Sequence, residues 1–283
     1  MGRIAAILLL FLAACDSAEP PVPIPETCNG AVELCERRYH EVAYATTHNA
    51  MSNAVDGWIN PNQGQPVRQQ LEDGVRGLML DLHDFEDEVY LCHSFCQLGQ
   101  RRLVDELADI GTILRAQRGE VVTLILESYV PVDEVERAFQ DSGVRELVYA
   151  HDGGPWPTLR QLIDDDTRLV VLSDRDGAST GWFLDVWTYS WETHFSAREP
   201  EDFSCADNRG SPDNELFIFN HFLTQTIGSP ELAEQVNHNP LLRERALQCM
   251  TESGSLPNFV TVDFYAIGDV FAVVDELNGI GAQ

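Results

Sequence analysis

Apolar residues along this chain follow two alternating rhythms. Short runs rich in Val, Ile, Leu, Phe and Thr occur at residues 42–47, 75–82, 89–92, 121–127, 169–173, 186–191, 216–220 and 259–264. Those at 121–127 and 169–173 are almost continuously apolar, as strands buried on both faces are. Between the runs, apolar positions recur three and four apart at 67–73, 103–118, 132–141, 159–164, 230–250 and 269–278, which predicts helices with one buried face. Eight strands with intervening helices place the chain in the α/β class. They predict a single TIM-type (β/α)8 barrel, regular or irregular, over residues 39–283. An open, doubly wound sheet is the alternative, but no Gly-x-Gly-x-x-Gly follows the first strand.

In such a barrel the reactive residues sit where strands end. The first predicted strand runs out into His48 and Asn49, the second into Asp81, His83 and Asp84, and the third into His93. The fourth ends at Glu127, the seventh at Asn220 and His221, and the eighth carries Asp263. Two histidines on one rim can divide acid and base duties near neutral pH. The last strand closes beside the first, so Asp263 is expected to fix the tautomer of His48. Asn49, Asp81 and Glu127 offer oxygen donors suited to a hard cation such as Ca²⁺. A single histidine is ordinarily a structural hydrogen-bonding group, and Asp81 or Glu127 alone reads as a salt bridge to an arginine such as Arg76. Convergence carries the functional reading.

The charge balance narrows the classes further. Eighteen basic residues, all arginine, stand against 46 acidic ones, a net charge of −28. Without lysine, Schiff-base chemistry and the lysine-bearing phosphate loop are excluded. So acidic a chain is also a poor partner for nucleic acid, whose binding depends on phosphate neutralisation. Residues 1–14 read as a signal peptide, Arg3 followed by an apolar stretch too short to span a bilayer, which needs roughly 20 residues. Leu12-Ala13-Ala14-Cys15 resembles a bacterial lipobox, which implies lipid on Cys15. An ordinary signal peptide with an incidental cysteine is the alternative. Residues 15–38, with Pro20, Pro21, Pro23 and Pro25, read as a tether. The expectation is an exported, membrane-anchored bacterial lipoprotein facing the periplasm or exterior and acting as a monomer. Setting Cys15 aside leaves six cysteines, an even number that in an exported chain predicts disulfides. Proximity favours Cys28–Cys35 and Cys92–Cys96, leaving Cys205–Cys249. A zinc site is weaker, since Cys92-x3-Cys96 has no second pair at matching spacing.

Five segments, in order, resemble the phosphatidylinositol-specific phospholipase C catalytic (X-type) domain, most closely its secreted single-domain members. They are Thr47-His48-Asn49-Ala50-Met51-Ser52, then Gly74-Val75-Arg76-Gly77-Leu78-Met79-Leu80-Asp81 followed by Leu91-Cys92-His93-Ser94. Val122-Thr123-Leu124-Ile125-Leu126-Glu127, Trp156-Pro157-Thr158-Leu159 and Leu256-Pro257-Asn258-Phe259-Val260-Thr261-Val262-Asp263 complete the set. The resemblance spans residues 40–270 and implies a phosphoric diester hydrolase or lyase that cleaves a phosphatidylinositol-like head group. It casts His48 as base or transition-state stabiliser, His93 as acid and Asp263 as support for His48. It also implies Ca²⁺ on Asn49, Asp81 and Glu127, although Met79 stands where metal-dependent relatives carry a glutamate. His83 stands where metal-independent relatives carry an arginine. His83, Arg175 and His221 are candidates for substrate contacts. The alternatives are a metal-dependent glycerophosphodiester or sphingolipid phosphodiesterase, and a non-catalytic lipoprotein that binds head groups. Arg101 with Arg102, or Arg115 with Arg118, would supply basic charge toward an anionic lipid surface.

Overall fold

A computed structural model describes residues 25–178, 180–225 and 228–281. Its strands, in chain order, are β1 (Tyr44–Thr47), β2 (Gly77–Phe85), β3 (Glu88–Leu91), β4 (Arg101–Arg102), β5 (Val122–Ser128) and β6 (Leu169–Ser173). β7 (Leu184–Asp185), β8 (Ser190–Thr193), β9 (Asp207–Gly210), β10 (Leu216–Asn220) and β11 (Phe259–Val262) follow. The helices are α1 (Val67–Glu72), α2 (Leu103–Ala116), α3 (Val132–Asp141), α4 (Leu159–Asp164), α5 (Val186–Tyr189), α6 (Pro230–Val236), α7 (Leu241–Ser253) and α8 (Val270–Leu277). None of the described helices is long and apolar enough to cross a membrane.

The strands curl in the order β7-β6-β5-β2-β1-β11-β10-β8, every neighbouring pair parallel, with β9 antiparallel on the β8 edge. The expected barrel of eight parallel strands is therefore present, and it is irregular. No pairing closes β7 onto β8 among the described residues.

Membership differs from expectation at two strands. Residues 89–92 do form a strand, but β3 folds back antiparallel on the overlong β2 and never enters the barrel. The turn between them, Glu86-Asp87, has φ of 54° and 62°, the geometry of a two-residue hairpin loop. Residues 186–191 begin as one helical turn, α5, because the Asp185 carboxylate accepts from Thr188 N at 2.7 Å and caps it. The missing barrel strand is the two-residue β7. The helix expected over 230–250 is two helices, since Pro240, without an amide hydrogen, stands at the start of α7. Helix α2 forms as its spacing requires, burying Leu103, Leu107, Ile110 and Leu114 along one face.

Alternation along each parallel strand decides what faces the barrel axis. Tyr44, Ile125, Leu172, Leu216, Ile218 and Phe259 share one buried cluster inside the barrel. The intervening Leu124, Leu126, Phe217, Phe219 and Val260 pack outward under the helices. Cys28, Leu34 and Cys35 belong to the inner cluster too. The tether assigned to residues 15–38 is thus corrected over its described part: from Cys28 it is a packed plug, not an extended linker. Asn29 N donates to Gly119 O at 2.9 Å and Arg38 Nη1 to Trp156 O at 2.9 Å, which hold it in place. The signal peptide at 1–14 and Cys15 lie outside the described residues. All three expected disulfides form: Cys28–Cys35, Cys92–Cys96 and Cys205–Cys249, as in chains that fold in oxidising surroundings.

Candidate active site

Continuing each inward row toward the C-terminal end of its strand reaches His48 just past β1, Asp81 on β2, Glu127 on β5 and Asp174 just past β6. The same step reaches Glu192 on β8, Asn220 on β10 and Asp263 after β11. Every one of these polar residues lines a cavity at the C-terminal mouth. The first cavity runs down into the barrel and carries His48, Asn49, Asp81, Glu127, Glu192 and Asn220. The second lies beside it and carries His48, His93 and Asp263. His48 and Phe222 belong to both, and their rings stack at 3.9 Å with planes 6° apart.

His48 Nδ1 meets Asp263 Oδ1 at 2.9 Å. Asn62 Nδ2 donates to the same carboxylate at 3.2 and 3.3 Å. Burial by itself would lower the pKa of His48, but the charge and hydrogen bond of Asp263, aided by Asp81 and Glu127, outweigh it and leave it raised. His93 moves the opposite way, lowered by burial and by the nearby His48 cation. The Asn49 amide ends 3.3 Å from both Asp81 oxygens and 3.2 Å from His48 Nε2. With its nitrogen on Asp81 it donates there and accepts from His48, which completes a protonated imidazole. Asn49, Ser94 and Phe264, each the residue after one of His48, His93 and Asp263, have φ of 45°, 65° and 46°. Such left-handed backbone is ordinary for Asn but costs roughly 1–3 kcal/mol at a bulky residue such as Phe264.

The two carboxylates expected to hold a cation come together. Asp81 and Glu127 are register partners across β2 and β5. Burial and the Glu127 charge push the Asp81 carboxyl up to about 7. Among the described residues no group of three or more His, Cys, Asp or Glu is placed to hold a metal, so a third protein donor would be the Asn49 amide oxygen, turned from His48 toward Asp81. Met79 lines the same cavity and contributes no oxygen.

The candidate substrate contacts fare differently. His221 is one residue out of step with the inward row and points away from the mouth. It is fully buried, its Nε2 bonds Val236 O at 2.9 Å, and Arg245 Nη1 donates to its Nδ1 at 3.1 Å. Burial and Arg245 push it down to about 3, so it is a neutral structural group and lines neither cavity. His83 and Arg175 meet on the rim: His83 stacks on Tyr129 at 4.7 Å, and the Arg175 guanidinium lies 3.9 Å from the centre of the same ring. Tyr129 Oη in turn bonds Glu127. The cation that does line the first cavity is Arg209, from β9, paired with the buried Glu192 and lying 4.4 Å from the Trp187 ring. Strand parity could have located Glu192 and Asp174, but no pattern in the sequence marks Arg209. Residues 177–181 also spell Gly-x-Ser-x-Gly, the signature of a serine-hydrolase elbow. In the chain they fall between strands β6 and β7, not between a strand and a helix as such an elbow requires.

The barrel mouth thus brings a His–Asp pair and a second histidine to one cavity. The chain belongs to the PI-PLC X family, whose model matches residues 34–278. It is 30% identical over 293 residues to PI-PLC X domain-containing protein 1 of Arthroderma benhamiae, covering 96% of this chain and 95% of that one. An uncharacterised secreted protein of the same fungus is 30% identical, over 93% of this chain and 66% of its own length. The fold is shared with phosphatidylinositol-specific phospholipase C from Listeria monocytogenes (TM-score 0.57, 16% identity, 87% of this chain and 94% of that one). A mutant of the Staphylococcus aureus enzyme gives TM-score 0.60 at 12% identity, over 86% and 95% of the two chains. The sequence relatives are from a fungus and a plant, so they lend no support to a bacterial lipoprotein.

Proposed function

We propose that the protein is an exported phosphodiesterase that removes the head group of a phosphatidylinositol-like lipid by two-histidine acid–base chemistry. The observation that carries this is the His48–Asp263 pair sharing one cavity wall with His93 at the barrel mouth. A hydroxyl of the head group attacks phosphorus and its proton passes to His48 Nε2. The bond from phosphorus to the lipid alcohol breaks, and His93 gives a proton to the departing oxygen. A cyclic phosphodiester and a free alcohol result. Asp263 holds Nδ1–H and stabilises the imidazolium that His48 becomes. One proton shared by the two histidines serves this chemistry. Its surroundings favour the proton on His48 more than on His93, and the reactive arrangement is the other placement of that same proton.

Asn49, Asp81 and Glu127 would hold Ca²⁺. Burial, and after it the Glu127 charge, raise the pKa of the Asp81 carboxyl, and a cation bound there would offset both. When bound, the ion supplies positive charge to the phosphate oxygens. Phosphorus NMR of products from a panel of phosphodiesters, with and without chelator, tests the reading. A cyclic inositol phosphate is expected. Turnover confined to glycerophosphodiesters or sphingolipids would favour a metal-dependent relative, and no turnover at all a binding protein.

A further inference from the structure

We propose that Asn62 is a positioning residue for the His48–Asp263 pair, and that Asn62-Gln63 is a clasp holding together the two strand ends that carry it. This rests on the phosphodiesterase reading above and names a further residue on which its rate depends. β1 and β11 stop at Thr47 and Val262, so His48 and Asp263 each stand one position beyond their ladder. The ladder's last bond there is His48 N to Val262 O at 3.1 Å. Beyond it Gln63 takes over. Its Nε2 donates to His48 O at 2.8 Å and to Val262 O at 3.1 Å, and its Oε1 accepts from Tyr265 N at 3.2 Å. Phe264 N donates to Asn62 O at 2.8 Å. Together these bonds join both strand ends and hold the left-handed backbone at Phe264, a conformation that a bulky residue does not adopt unaided.

Both residues are buried, so their polar atoms need partners inside the protein. The Asn62 amide nitrogen finds its partner in Asp263, 3.3 Å from Oδ1 and 3.2 Å from Oδ2. A carboxylate held only by His48 Nδ1 at 2.9 Å could rotate about its Cβ–Cγ bond and turn to water in the second cavity, whose wall it forms. With Asn62 bonded to both oxygens, one setting of the carboxylate remains, and it is the one that orients the imidazole. The clasp is anchored in turn. Ser52 O accepts from Asn62 N at 3.0 Å and from Gln63 N at 2.9 Å, and Ala54 N donates to Gln63 O at 2.9 Å. Residues 53–61 are thus an excursion whose return carries the function. These backbone bonds survive a change of side chain at residue 62, so substitution there removes the contact to Asp263 and leaves the loop's own closure in place.

The test uses Asn62→Asp, which keeps the shape and sets a repelling charge against Asp263, and Asn62→Leu, of similar bulk without a donor. With a soluble butyl ester of inositol phosphate, kcat should fall by roughly 10–10²-fold in each while KM stays within about twofold, since positioning is lost and substrate contacts are not. The second readout is the proton NMR signal of His48 Nδ1–H. It should be present in the wild-type protein, where Asp263 shelters it, and be lost to exchange with water in both variants while the rest of the spectrum stays folded. Unchanged kcat in both variants would overturn the assignment, as would a fall in kcat with the His48 signal intact, or absence of that signal from the wild type. A rise in KM with kcat retained would make Asn62 a substrate contact and overturn it equally. Should Asn62→Leu fail to fold, the isosteric Asn62→Asp decides alone. No cleavage by the wild type would overturn the phosphodiesterase reading, and the His48 signal would still decide the clasp.

Discussion

His48 and His93 face the same space with opposite electrostatic surroundings, and that difference is open to measurement. In chelator-treated protein, the His48 ring should titrate above an ordinary histidine and the His93 ring below one. An NMR titration that puts His93 above His48 would contradict the geometry. Turnover needs one ring protonated and one neutral, so kcat/KM should be bell-shaped in pH, its alkaline limb set by the higher-titrating His48. Asp263→Asn removes the charge that raises His48, so that limb should move to lower pH. An unmoved limb would show that Asp263 does not govern it. Alanine at His48 or His93 should cost roughly 10²–10⁴-fold in turnover with the fold intact. At this scale the sequence was largely legible. A residue two or four steps beyond an inward apolar residue also faces inward, which is how His48, Asp81, Glu127 and Asp263 reach the mouth. The same parity sends His221 outward, and ignoring it is what made His221 look functional. Arg209 escaped because its strand is an antiparallel addition whose position depends on tertiary pairing.

Elements were readable as elements and less so as neighbours. The run at 89–92 is a strand, yet only the two-residue gap at Glu86-Asp87 told that it would fold back on β2. Two-residue β7 is too short to leave a periodic trace, and the Asp185 cap turned its neighbour helical. The β2–β3 hairpin runs into the loop that Cys92–Cys96 closes, a bridge spanning four residues, whereas Cys205–Cys249 spans 44. Loop-closure entropy makes the longer bridge worth roughly 2 kcal/mol more to global stability. Serine at both Cys205 and Cys249 should therefore lower Tm more than serine at both Cys92 and Cys96. The short bridge should matter more to rate, since displacing an acid by about 1 Å can cost roughly 10²-fold. A Cys92→Ser/Cys96→Ser protein with full activity and a sharply lower Tm would reverse both assignments.

For the whole molecule, a net charge of −28 means that any cation bound at the mouth arrives in a strongly favourable field. With two carboxylates and one amide as protein ligands, Ca²⁺ affinity should be modest, and phosphate and water would complete its shell. Calorimetry should show Ca²⁺ heat that Asp81→Asn abolishes, and chelation should depress turnover. No heat, with turnover indifferent to chelator, would leave the mouth metal-free. The barrel as a class was legible because strands buried on both faces write long apolar runs. Its open side between β7 and β8 was not, since that depends on a strand too short to read.

One pairing has a consequence in time. β1 hydrogen-bonds β11 along its whole length, Tyr44 opposite Phe259 and Thr47 opposite Val262, and this seam brings His48 to an aspartate 215 residues downstream. A nascent chain can carry both histidines for most of its synthesis and still lack the group that orients the first. On the proposed mechanism, activity is withheld until residue 263 has been made and the last strand has docked. A fragment ending before residue 259 should be silent toward every phosphodiester that the full-length chain cleaves.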